Sequence, residues 1–138
     1  REWSVQGFGM MRTYTAPDKR YRLNIWHSEL AVPGVSVVHD HPWNFRSWVI
    51  AGSFANQRYD EGYGELWCGM VIEPGMSGGP RETPFDHRLS ARPIELYRPG
   101  DTYEQHAQEV HYSLPQDGCV TFNDRTSRGP DRARVFWR

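Results

Sequence analysis

The sequence predicts an all-β domain, and three observations carry that expectation. Aromatic residues make up 14% of the chain, and 13 glycines and 10 prolines punctuate it at short intervals. A helical bundle would be enriched instead in Ala, Leu and Lys. Between the turn residues lie about ten short apolar or alternating runs, the spacing of a closed or double-sheet β architecture. A length of 138 residues suits one domain with one core.

The elements follow in order. Arg12 to Thr15 and Tyr21 to Ser28 flank the turn Ala16-Pro17-Asp18-Lys19 and predict a hairpin. Its second arm alternates, with Tyr21, Leu23, Ile25 and His27 on one face and Arg22, Asn24, Trp26 and Ser28 on the other. Val32-Pro33-Gly34 turns the chain into a β-branched run ending at His39. Phe45 to Ile50 and Phe54 to Tyr59 pair across Ala51-Gly52-Ser53. Gly62 to Gly64 reads as a loop and Glu65 to Ile72 as a further strand. From Glu73 to Pro93 the chain is too rich in Gly, Pro and polar residues for regular structure, and a lid or an oligomer contact is expected there. Strands resume over Ile94 to Arg98, Thr102 to Glu104, Val110 to Leu114, Cys119 to Asn123 and Ala133 to Trp137. The stretch from Tyr103 to Val110 is read as extended.

Charge and composition exclude some function classes. A formal net charge of −1 with scattered Lys and Arg gives no footprint for nucleic acid. No apolar run approaches the ~18 residues of a membrane helix, and no signal-peptide pattern is present. Cys68 and Cys119 are too few for a disulfide framework, so a cytoplasmic setting is expected.

The chemistry centres on Val37-Val38-His39-Asp40-His41-Pro42-Trp43-Asn44-Phe45. Residues two apart on an extended segment share a face, so His39 and His41 present two imidazoles to one metal ion. Pro42 then bends the chain. A third ligand comes from downstream, where His106 and His111 compete. Five residues apart, they would point to opposite faces of a continuous strand.

Gly34 followed by His39 and His41, with Pro99-Gly100-Asp101 followed by His111, resembles the two-motif signature of the cupin superfamily. The resemblance spans residues 34–123 and implies a double-stranded β-helix, a small jelly-roll barrel with a metal near its middle. The family spacing from Gly100 selects His111 over His106 as the third ligand. Many cupins add a Glu a few residues past the second His; here Arg46 occupies that region and no carboxylate appears before Asp60. The implied site is therefore three-histidine, similar to that of the thiol dioxygenases, in which Fe(II) binds substrate and O₂ together. Some of those enzymes carry a Cys-Tyr crosslink, but Arg46 stands where its Cys would be and Cys68 lies well past it, which argues against the crosslink and a thiol substrate. The His-Asp-His-Pro-Trp-x-Phe form is also similar to uncharacterised small cupins of bacteria and phages.

The resemblance implies a metal-dependent oxygenase holding Fe(II) on His39, His41 and His111 and acting with O₂ on a small molecule. A non-redox isomerase or lyase using Zn, Ni or Mn has the same ligands. A non-catalytic ligand-binding barrel is the alternative from another class. A sugar-nucleotide epimerase would need a His–carboxylate pair and a Tyr acid, and no convincing set is present. Among further site residues, Arg58 and Arg125 are the preferred anchors for a carboxylate or phosphate, because a guanidinium grips such groups bidentately. Tyr103 reads equally as a hydrogen-bond partner of a metal-bound ligand and as packing in the barrel, and Trp43 as lining the pocket mouth. Phe45 and Ser47 share parity with His41. His27 and His87 read as structural or solvent-exposed, and Cys119 as inert. Dimerisation through sheet edges fits the family pattern.

Overall fold

A computed structural model describes residues 2–32, 38–72, 83–128 and 132–138. They form twelve strands: β1 (Ser4–Gln6), β2 (Phe8–Tyr14), β3 (Tyr21–Ala31), β4 (Val38–His39), β5 (Trp43–Ala51), β6 (Phe54–Ile72), β7 (Phe85–Ala91), β8 (Glu95–Tyr97), β9 (Thr102–Gln105), β10 (His111–Pro115), β11 (Val120–Arg128) and β12 (Ala133–Trp137). No helix occurs among the described residues, so none is long and apolar enough to cross a membrane.

The strands form two antiparallel sheets. The first has the order β1-β2-β3-β11-β5-β9. The second runs β10-β4-β12-β6-β7, with β8 also on β6 and a further pairing of β10 with β6. Strand β6 is long enough to serve several neighbours: residues 54–58 pair with β10, residues 68–72 with β12, and β7 covers its other edge. The short β4 bridges β10 and β12.

Three expectations are corrected. The stretch from Glu73 to Pro93 holds a regular strand, β7, which pairs with β6 from Gly69↔Phe85 to Tyr59↔Ala91. Its polar residues are those of an edge strand with one exposed face, where Asp86 and Arg88 point to solvent and only Leu89 is fully buried. Residues 73–82 lie outside the described residues, as do residues 33–37 of the predicted turn and strand before His39. Second, Gly62 to Gly64 does not separate two strands. It is a bulge inside β6, where Glu61 and Glu65 both face Leu89 across the ladder. Third, Phe45 to Ile50 and Phe54 to Tyr59 do not pair with each other: β5 lies in the first sheet between β11 and β9 and β6 in the second, so Ala51-Gly52-Ser53 carries the chain from one sheet to the other.

Two apolar clusters form the core, one at the space between the sheets and the other on the far face of the second sheet, where Val38 and Phe136 alternate with the cavity-lining His39 and Val135. Met10, Trp26, Phe45, Val49, Phe54, Tyr103 and Cys119 form one. Val38, Tyr59, Leu89, Val110 and Phe136 form the other. Aromatic pairs bind the first together, with Phe54 stacked on Tyr103 at 5.7 Å and Trp26 tilted against Phe54 at 5.6 Å. Between the sheets lies a cavity of about 430 Å³, lined from the first sheet by Met10, Trp26 and Phe45 and from the second by His39 and His111.

Candidate metal centre

The register of the second sheet assembles the histidines. His39 on β4 and His111 on β10 are direct cross-strand partners, so their side chains leave the same face. His41 lies two residues beyond His39 and keeps that face. The three imidazoles converge: Nε2 of His41 lies 3.1 Å from Nε2 of His39 and 3.0 Å from Nε2 of His111. Their ligand atoms form the one potential metal-holding group of three or more such side chains found among the described residues. The stretch from Tyr103 to Val110 is not extended throughout: the chain leaves β9 after Gln105 and turns, and His106 is exposed on that loop, where its carbonyl accepts the Glu109 amide. The third position is therefore His111.

The donor set fits a cation. Three nitrogens about 2.1 Å from a shared ion stand about 3.0 Å apart at mutual right angles and about 3.4 Å apart in a tetrahedron. The two short separations match the first value. Burial, followed by the neighbouring His39, holds His111 and His41 well below the usual histidine range. Both rings are thus neutral near pH 7, as metal ligation requires.

Outer contacts orient the rings. His111 Nδ1 lies 2.8 Å from Asn56 Oδ1. Asn56 uses its own Nδ2 to donate to Gln105 Oε1 at 3.0 Å, so its Oδ1 must accept, and the His111 proton is assigned to Nδ1. That leaves the Nε2 lone pair for the cluster. Gln105 donates in turn to Glu109 Oε1 at 2.9 Å, and Glu109 accepts from Arg58 Nη1 at 3.0 Å. Asn56 and Gln105 are both fully buried. Sequence reasoning missed this chain because amides carry no signature in spacing. The cross-strand pairing of His111 with Arg58, which sets Asn56 diagonally next to it, exists only once β6 and β10 are in register.

On the opposite face of the His-x-His segment, buried Asp40 accepts the Arg134 backbone N–H at 2.6 Å and its Nε at 2.7 Å. Arg134 also donates to Glu61 at 2.7 Å and to the Gln108 carbonyl at 3.1 Å, while the Gln108 amide donates to the His41 carbonyl at 2.8 Å. The backbone on either side of the cluster is thereby fixed. His87 joins this network through Glu61 at 2.8 Å, and His27 lies on the surface beside Asp117.

The other predicted site residues are dispersed. Tyr103 lines the cavity, and burial raises its phenol above the usual range, so it keeps its proton and remains a donor. Arg58 is engaged by Glu109, by Glu95 at 2.8 Å and by the Glu104 carbonyl at 2.7 Å, and it does not line the cavity. Arg125 also lies off the cavity; its guanidinium covers the Trp43 ring at 4.2 Å and donates to the Lys19 carbonyl. Trp43 and Phe45 are lining residues. Arg46, in the region of the missing acid, is exposed and paired with Glu104 at 2.6 Å. Arg12 and Arg22, which line the cavity, were not singled out from sequence, since arginine is by default a surface residue.

Compared with protein-family models and with curated proteins, the sequence matches none.

Proposed function

We propose that this protein is a metal-dependent oxygenase of cupin type, folded as a double-stranded β-helix and holding Fe(II) on His39, His41 and His111. The observation that carries the reading is the convergence of three imidazole groups, two of their Nε2 separations 3.0–3.1 Å, at the wall of the cavity between the sheets. Three imidazole ligands leave coordination positions open, and as neutral donors they would leave a divalent ion its full charge for an anionic substrate. When bound, iron would supply activation of O₂ beside the substrate.

The chain's own residues account for the rest. Asn56 keeps the His111 lone pair on the cluster, and Asp40 with Arg134 fixes the segment carrying the other two ligands. Met10, Trp26, Phe45 and Phe54 exclude water from the substrate's apolar part. The neutral Tyr103 phenol offers a hydrogen bond within the same cavity. Two unbridged cysteines, Cys68 and Cys119, suit a reducing compartment, and the cytoplasm is the proposed location.

Elemental analysis of wild type beside a His39→Ala, His111→Ala double variant tests the reading. The expected result is about one iron per chain after anaerobic reconstitution, lost in the variant, with O₂ uptake on addition of substrate. Stoichiometric Zn, Ni or Mn without O₂ uptake would replace it with the non-redox reading. Absence of bound metal after reconstitution would sink it.

A further inference from the structure

Across the cavity from the histidines, the first sheet turns a polar face inward. On β3 the buried residues are Arg22, Asn24 and Trp26, while Tyr21, Leu23 and Ile25 are only half-buried on the other side. Cross-strand pairing extends this polarity into rows. Arg12, Asn24 and Thr121 form one, and Arg22, Asn123, Ser47 and Tyr103 the next. Buried polar atoms cost free energy unless they are paired. Here Arg12 Nε, Arg22 Nε, Asn24 Oδ1 and Asn123 Oδ1 have no hydrogen-bond partner.

Arg22 is the extreme case. It is 7% exposed, and the charged groups acting on it are Arg12 and Arg125, with no acid among them; Tyr14 is its hydrogen-bonding neighbour. Burial and then Arg12 pull its guanidinium down to about 10, so it still carries charge at neutral pH. A buried cation held beside another cation, both lining one cavity, is a site completed by an anion.

We propose that Arg12 and Arg22 form the carboxylate-binding end of the cavity, so that its substrate is a small organic acid spanning these two guanidinium groups and the three-histidine centre. The inference rests on the reading of the cavity as a substrate site. Two guanidinium groups lining one cavity match the two oxygens of a carboxylate, because each planar fork can donate to an oxygen. The body of the acid lies against Met10, Trp26, Phe45 and Phe54.

The test is ligand binding to the full-length chain, metal-loaded and metal-stripped, read by quenching of the cavity tryptophans Trp26 and Trp43. The probes are 3-phenyllactate, its uncharged amide, and phenyl phosphate. Metal-stripped wild type is expected to bind the acid at least about tenfold more tightly than the amide. Arg22→Gln and the milder, half-buried Arg12→Gln are each expected to remove that preference, and Arg22→Lys, which keeps the charge, to retain it. Equal binding of acid and amide by wild type, or an unchanged preference in both Gln variants, overturns the proposal. Tighter binding of phenyl phosphate than of the acid overturns the assignment to carboxylates. Co(II) titration reads the histidines separately: wild type that prefers the acid yet takes up no Co(II) supports this subsite while overturning the metal reading.

Discussion

His111 keeps its lone pair on the cluster because Asn56 occupies its other nitrogen, and Asn56 is itself tied through Gln105 to Glu109 and Arg58. Replacing Asn56 by Leu frees the ring to rotate and strands the Gln105 carbonyl. We expect Asn56→Leu to weaken metal binding about 10- to 100-fold in a chelator competition, the usual effect of losing such an outer partner. A second residue-scale prediction concerns the cysteines. Cys119 is fully buried and burial pushes its thiol up to about 11, whereas Cys68 is half-buried. At pH 8 a thiol-specific reagent should label Cys68 first and reach Cys119 only on unfolding; labelling of both at one rate would contradict the burial. The three histidines that the fold brings together were legible because His-x-His and the Pro-Gly-Asp turn are local patterns. Asn56, Gln105, Arg12 and Arg22 were not, because their roles come from partners brought by register. Arg58 and Arg125 were preferred as anchors on residue type alone, and they lie instead outside the cavity lining, engaged by carboxylates and carbonyls or by Trp43 and the Lys19 carbonyl.

At the scale of elements, turn chemistry and β-branched runs located most strands, while β7 escaped because an edge strand needs only one apolar face and its neighbourhood is rich in Pro and Gly. The bulge in β6 escaped for the same reason: glycines that read as a loop also serve to bend a strand without ending it. Gly64 shows why. It sits at φ +96°, and a Cβ there would approach the Leu89 carbonyl oxygen to 2.5 Å. Gly100, in the turn before β9, has a similar φ of +94° with open space around it. Gly64→Ala should therefore cost about 2–3 kcal/mol in urea unfolding, combining backbone strain with a backbone clash. Gly100→Ala should cost about 1 kcal/mol, from φ alone. Equal losses would show that β6 relaxes around the added methyl.

Across the whole molecule the sheets differ in what they turn inward: the second presents imidazoles, the first guanidinium and amide groups, and the apolar residues of β3 that pattern reading would send to a core lie toward the outside. That inversion ties stability to alkaline pH through the neutral groups buried beside it. Cys119 and Tyr103 both have folded-state values raised by burial. In the unfolded chain they ionise at their ordinary values, so the native state holds the extra protons. Their contribution is complete below about pH 8.5 and declines as pH rises toward 11. The urea midpoint should fall between pH 8.5 and 10.5, and Cys119→Ala should flatten that fall; a midpoint independent of pH there would exclude the effect. Asp40 and its partner Arg134 stand 94 residues apart in the chain. At ribosomal speeds that interval lasts roughly 5 to 20 seconds. The His39–His41 segment therefore leaves the exit tunnel long before the residue that clamps it has been made. During that time the segment carrying two of the three clustered histidines stands without the contact that fixes its backbone, so the order of synthesis alone delays closure of the cluster.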